Sequence, residues 1–255
     1  MSTYKKRGSK PKDNREQAVQ DKSATAEVFN TLDETASRSE KWIEKNSKPL
    51  FYSLVLIAVV ILGSLGYNKY IIEPTETEAA NELSYPRKHF NAASSASIGQ
   101  DSLLNLSLDG ADGKYGFVDI SNTYGGTKAG NLANYYAGVS YLKLKQYDKA
   151  IDFLSKFSSD DELLGPTAIG AIGDAFADIN QPKDALKYYE EAAAKKSNDF
   201  TAPLFLYKAG ITAMELKEYS KALSLFTKIK SDFPKSFQAG DIDRYIASAE
   251  FAAKN

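Results

Sequence analysis

Tyr135-Tyr136-Ala137-Gly138-Val139-Ser140-Tyr141-Leu142-Lys143-Leu144-Lys145-Gln146-Tyr147-Asp148-Lys149-Ala150-Ile151-Asp152-Phe153-Leu154 is the stretch on which the fold turns, because its pattern returns twice. Gly138, Gly173 and Gly210 stand 35 and 37 residues apart, and each is followed twelve residues later by an alanine: Ala150, Ala185 and Ala222. Three residues after each glycine come Tyr141, Phe176 and Ala213; four after each alanine come Leu154, Tyr189 and Phe226. The local contexts agree as well: Tyr147-Asp-Lys-Ala-Ile, Pro182-Lys-Asp-Ala-Leu, Tyr219-Ser-Lys-Ala-Leu. Self-similarity at such a period marks a repeat architecture.

Helix packing explains why these residue types recur. Two short antiparallel helices approach closely only where small residues meet, so the glycine of the first helix and the alanine of the second open the space. The aromatic and branched residues then fill the layer between neighbouring pairs. A glycine inside a helix costs about 1 kcal/mol relative to alanine unless close packing offsets it. Pro166, Pro182 and Pro203 stand where first helical turns begin, with Asn180 and Thr201 as caps just before them. Pro234 falls where a helix stops.

These positions resemble the tetratricopeptide repeat, whose pattern places small residues at Gly138, Ala150 and their equivalents, and Pro234 matches its terminal proline. The early aromatic of that pattern is replaced by Asn134, Ile169 and Leu206. The resemblance covers 131–236 and implies an α-solenoid. Asp241–Phe251, apolar at helical spacing, supplies the solvating helix that ends such an array, so that 131–255 forms the repeat region. In such arrays the first helices line a concave groove. The positions facing it are Tyr135, Val139 and Leu142 in the first repeat and Tyr207, Ile211 and Met214 in the third, with Asp174 and Asp178 from the second. Some members clamp a C-terminal carboxylate through Lys and Asn; here Val139, Asp174 and Ile211 stand where Asn would be needed, which argues against that mode. A groove of Tyr and aliphatics suits an extended or helical apolar peptide. The alternative is that neighbouring repeats or the C-terminal helix cover these residues.

Upstream, residues 69–130 read as one or two degenerate helical repeats closing the N-terminal end of the array. Thr75–Ala96 is helical in pattern apart from Pro86, which breaks or kinks it; Gln100–Gly116 is rich in Gly and Asp; Tyr115–Tyr124 reads as a short helix.

Farther upstream, Pro49–Asn68 passes without one charge between Lys48 and Lys69. Twenty helical residues at about 1.5 Å each cover roughly 30 Å, the thickness of a bilayer's hydrocarbon. A buried core helix would carry a polar stripe, and a cleavable signal would lie nearer the start. A membrane span over 49–68 is therefore expected. Arg38, Lys41, Lys45 and Lys48 precede it, and only Lys69 follows at comparable distance. Residues 1–48 hold 11 Lys+Arg against 8 Asp+Glu, a net of +3; residues 69–255 hold 21 against 25, a net of −4. The positive-inside rule then keeps the N-terminus in the cytoplasm and sends the C-terminal bulk across.

Residues 1–22 are basic and nearly free of large apolar side chains, the composition of a disordered tail. Such a tail suits anionic head groups, another acidic partner such as ribosomal RNA, or simple enforcement of topology. Residues 23–48 form an amphipathic juxtamembrane helix, with Val28, Phe29, Leu32, Ala36 and Ile43 mostly on one face and capping-box spacings at Thr31…Glu34 and Ser37…Glu40. It has to rest on the membrane or on a partner.

Little in the chain points to chemistry. Zero cysteines exclude disulfides, thiolate metal sites and a cysteine nucleophile. His89 is the only histidine and reads as a helix residue. Asp109–Lys114 lacks the further acidic ligands of a calcium loop and reads as a turn. Asp160-Asp161-Glu162 and Glu190-Glu191 read as solvated charge, and no phosphate loop or dinucleotide fingerprint is present. No enzyme, cofactor, metal or small-molecule substrate is expected. The −4 net charge beyond the span disfavours nucleic acid there.

The whole layout, a basic tail, one N-in helix near residue 50 and an exported repeat domain, resembles the YfgM-like ancillary subunits of the bacterial Sec translocon. That resemblance implies an inner-membrane adaptor whose periplasmic repeats meet emerging chains or chaperones. The alternatives are an independent cell-envelope scaffold and, with the opposite topology, an organellar preprotein receptor.

Overall fold

The structure, a computed structural model, describes residues 24–254. The basic tail expected over 1–22 lies outside the described residues. Among those described, the elements are all helical, and the one β-type contact is an isolated bridge between Ala111 and Lys114. The chain divides into two units, Met1–Asn68 and Lys69–Asn255.

In the first unit, Ala24–Lys45 forms α1 and Ser47–Tyr67 forms α2. Along α1, Val28, Leu32, Trp42 and Ile43 are all exposed. The capping-box expectation at Thr31 and Ser37 is corrected: both lie inside α1. Within a continuous helix the backbone N–H groups are already bonded, so the Thr31 and Thr35 hydroxyls donate backwards to the carbonyls of Val28 and Thr31. Helix α2 buries no residue. Among the described residues, one helical stretch, beginning at Ser47, is long and apolar enough to cross a membrane, with a mean hydropathy of 2.2 over its most apolar window.

The first α-helices of the second unit are α3 (Glu73–Glu82) and α4 (Ser84–Ser95). The break between them lies three residues before Pro86, which therefore occupies the first turn of α4, where a missing N–H is tolerated. Gln100–Asp109 forms α5, a helix the Gly- and Asp-rich reading of 100–116 did not anticipate. Leu104 and Leu108, one turn apart, are fully buried and give it a core face. The glycines that obscured it, Gly110 and Gly113, belong to the turn past its C-terminus. Asp112 and Gly113 both take positive φ, 52° and 72°, making the mirror-image turn that the Asp-Gly pair favours. Phe117–Thr123 forms α6, as the pattern indicated.

Three helix pairs complete the array: α7 (Lys128–Lys143) with α8 (Tyr147–Lys156), α9 (Leu164–Asp178) with α10 (Pro182–Lys195), and α11 (Thr201–Glu215) with α12 (Tyr219–Asp232). A 3-10 turn, Phe237–Asp241, leads into α13 (Ile242–Lys254), which packs on α12 through Ile242 and Ala249. Consecutive helices pack against one another in chain order, the arrangement of an α-solenoid.

Each first helix ends in the same way. Lys145, Asn180 and Lys217, again 35 and 37 residues apart, take left-handed φ of 59°, 59° and 62°. The N–H after each reaches back five residues, as Gln146 to the Tyr141 carbonyl and Glu218 to the Ala213 carbonyl, which are Schellman closures. Asn180 is thereby corrected from a start signal to a stop signal. Thr201 is corrected too: it is the first residue of α11. The Oδ1 of Asn198 accepts from the Phe200 and Thr201 N–H groups instead.

Candidate partner groove

The repeat-defining small residues sit where packing requires them. A Cβ on Gly138 would lie 2.5 Å from Leu154 Cγ, and one on Gly173 would lie 2.7 Å from Tyr189 Cε1. On Gly210 it would overlap the ring of Phe226. Ala150, Ala185 and Ala222 are completely buried. Each glycine thus receives the large side chain four residues beyond its own repeat's alanine. Gly170, which sequence reasoning missed, does the same between repeats, for a Cβ there would overlap the Phe205 ring.

Of the six apolar groove positions read from sequence, Tyr135, Val139 and Leu142 are half-buried and pack against Leu154, Ala168, Ala171 and Ile172. They join the first repeat to the second, and the Tyr135 ring lies 5.2 Å from that of Phe157. Tyr207 and Met214 are half-buried against the C-terminal core, while Ile211 remains 38% exposed. The C-terminal helix covers Tyr207 in part: the Tyr207 hydroxyl donates to that of Tyr245 at 2.6 Å, and the rings meet edge-on at 5.1 Å. Burial, together with that hydrogen bond, pushes the Tyr207 hydroxyl up to about 12. Tyr245 moves the other way, because Tyr207 and Arg244 both donate to its oxygen.

Asp174 is engaged rather than open. It accepts from the Tyr189 hydroxyl at 2.7 Å and from Lys208 Nζ at 2.6 Å, tying the second repeat to the third. Lys208 also lies over the Tyr189 and Phe205 rings. Burial and then Asp174 raise the Tyr189 hydroxyl. His89 packs edge-on against Tyr85, with ring centres 4.6 Å apart. Among the described residues no cluster of His, Asp or Glu could hold a metal ion.

Sequence reasoning missed two asparagines that fasten loops. Asn131 Nδ2 donates to the Ser158 carbonyl while its Oδ1 accepts from the Ser158 N–H, and Asn198 Nδ2 donates to the Glu162 carbonyl. It also missed a cavity of about 550 Å³ after the last repeat, lined by Leu204, Tyr207 and Tyr245 together with Phe237, Gln238 and Asp241. The one signal for it was Phe237, an aromatic set among small and polar residues past Pro234.

The tetratricopeptide repeat model matches residues 132–161 and 205–236. Those stretches enclose the first and third glycine-alanine pairs but leave out the first residues of α7 and of α11, and the second pair lies between them. No curated protein matches the chain. Repeats of this kind indicate protein–protein interaction, which agrees with a surface of half-buried aromatics and aliphatics.

Proposed function

We propose that the protein is a membrane-anchored protein-interaction adaptor, an ancillary subunit of the Sec protein-export machinery. The helix over 49–68 crosses the bacterial inner membrane once with the N-terminus in the cytoplasm. The repeats stand in the periplasm and contact translocating chains or chaperones through the groove carrying Tyr135, Val139, Leu142, Tyr207, Ile211 and Met214.

The observation that carries this reading is the pairing, on one chain, of a protein-binding repeat array with an uncharged helical stretch, 49–68, in which no residue is buried among the described residues. Apolar side chains left in water cost about 25 cal/mol per Å², so a helix with no buried residue calls for an apolar medium. Four basic residues before it and one after it support the N-in direction.

The test is co-purification of the full chain with the translocon in mild detergent, repeated after an unrelated anchor replaces residues 49–68. The adaptor reading expects the association to be present and to be lost with the native helix. Persistence of function with the foreign anchor would favour an independent envelope scaffold.

A further inference from the structure

The segment after the last repeat builds a cavity that the repeat pattern does not explain. Helix α12 stops before Pro234, and the Ser236 hydroxyl accepts from the Ala239 N–H, opening the 3-10 turn Phe237–Asp241. The cavity, lined by this turn, α11 and Tyr245 of α13, measures about 550 Å³. That is within the roughly 300–1,000 Å³ usual for ligand sites.

Its lining has a definite chemistry. Leu204, Tyr207, Tyr245 and Phe237 supply the apolar surface, and Phe237 is 94% exposed although it sits in a hydrogen-bonded turn. The turn holds the Phe237 backbone, so on binding only its ring has to be ordered. The Tyr207 O–H is taken up by the Tyr245 oxygen, which also accepts from Arg244, so the Tyr245 O–H is the one phenolic donor left at the cavity wall. Asp241 is the one charged residue lining the cavity; it makes no ion pair among the described residues, although Arg244, three residues on, feels its charge. The apolar surface also runs on past the cavity. Leu204, Tyr207 and Ile211 succeed one another at spacings of three and four along α11, and Phe200, four residues before Leu204, stands just ahead of the helix; Phe200 and Ile211 are exposed. A track of that form suits a chain rather than a compact molecule.

We propose that this cavity binds one aromatic or branched apolar side chain of an extended polypeptide that carries Lys or Arg at the neighbouring position. The apolar side chain enters between Phe237 and Tyr207, and the cation lies beside Asp241. This rests on the adaptor reading for its choice of a polypeptide ligand.

The experiment uses the full chain in nanodiscs and fluorescein-labelled Gly/Ser-flanked peptides carrying Arg-Phe, Glu-Phe or Arg-Ser at the centre, read by fluorescence anisotropy. The Arg-Phe peptide is expected to bind up to about fivefold more tightly than Glu-Phe, the range of an exposed ion pair. It should bind about tenfold more tightly than Arg-Ser, the cost of losing an aromatic anchor. Asp241→Asn should abolish the Arg-over-Glu preference and keep the Phe-over-Ser preference. Phe237→Ser should weaken both Phe peptides with an unchanged circular dichroism spectrum. No binding of Arg-Phe at millimolar concentration, equal binding of Arg-Ser, or indifference to both variants would overturn the proposal. Translocon co-purification, run in parallel with Phe237→Ser, separates the two ideas. Association without peptide selectivity leaves the adaptor standing and removes the cavity, and selectivity without association does the reverse.

Discussion

The ring of Phe226 lies so close to Gly210 that a Cβ there would overlap its Cε1. Phe226 is completely buried and cannot swing aside. Gly210→Ala should therefore destabilise the repeat region by about 1–3 kcal/mol through overpacking, against a helix-propensity gain of about 1 kcal/mol. A net loss is expected in urea unfolding followed by circular dichroism. Ala substitution at Gly63 in α2, where nothing lies near, should cost nothing comparable.

Lys145 and Lys217 adopt a left-handed conformation that disfavours any residue with a Cβ. Lys145→Gly and Lys217→Gly should each raise stability by about 0.5–1 kcal/mol, after allowing for the looser unfolded chain. Asn180→Gly should gain less, because asparagine tolerates this region. Thermal melts of the three variants test the ranking.

Asn198 accepts two backbone N–H groups at the start of α11. Asn198→Ala should cost about 1 kcal/mol, typical of a lost N-terminal cap. Its effect should exceed that of Asn180→Ala, as judged by denaturation midpoints.

Asp161 accepts from the Leu163 and Leu164 N–H groups, both at 2.8 Å, at the start of α9. These bonds, the Leu164 one foremost, hold its carboxyl below the ordinary value of 3.8. A depressed folded value means that the stabilisation is whole above the ordinary value and disappears as pH falls through the lowered one. The Tm gap between the wild type and Asp161→Ala should thus be constant near neutrality and close on acidification below 3.8. A gap that widens on acidification would contradict it.

The repeat array was legible because a glycine, an alanine and a large residue recur at fixed offsets, and one packing constraint repeated three times leaves one pattern. Helix α5 was hidden by Gly110 and Gly113, which belong to the turn beyond it; Leu104 and Leu108 carried the helical spacing. Asp161 and Asn198 could not be told from solvated loop residues, since most of what they bond is backbone, which has no sequence signature. Spacing placed Tyr135, Val139 and Leu142 on one helix face, yet how much of that face the next repeat covers depends on tilt and loop length. The cavity at Phe237 lay past the repeat and outside its pattern.

Whether the repeats stand outside the inner membrane on a single anchor is tested most directly by protease digestion of spheroplasts, probing a C-terminal epitope alongside a cytoplasmic control. The expected result is loss of the C-terminal epitope while the control survives, with the undigested protein resisting carbonate extraction from the membrane. Survival of the epitope until the spheroplasts are lysed, or release of the whole chain by carbonate, would contradict it.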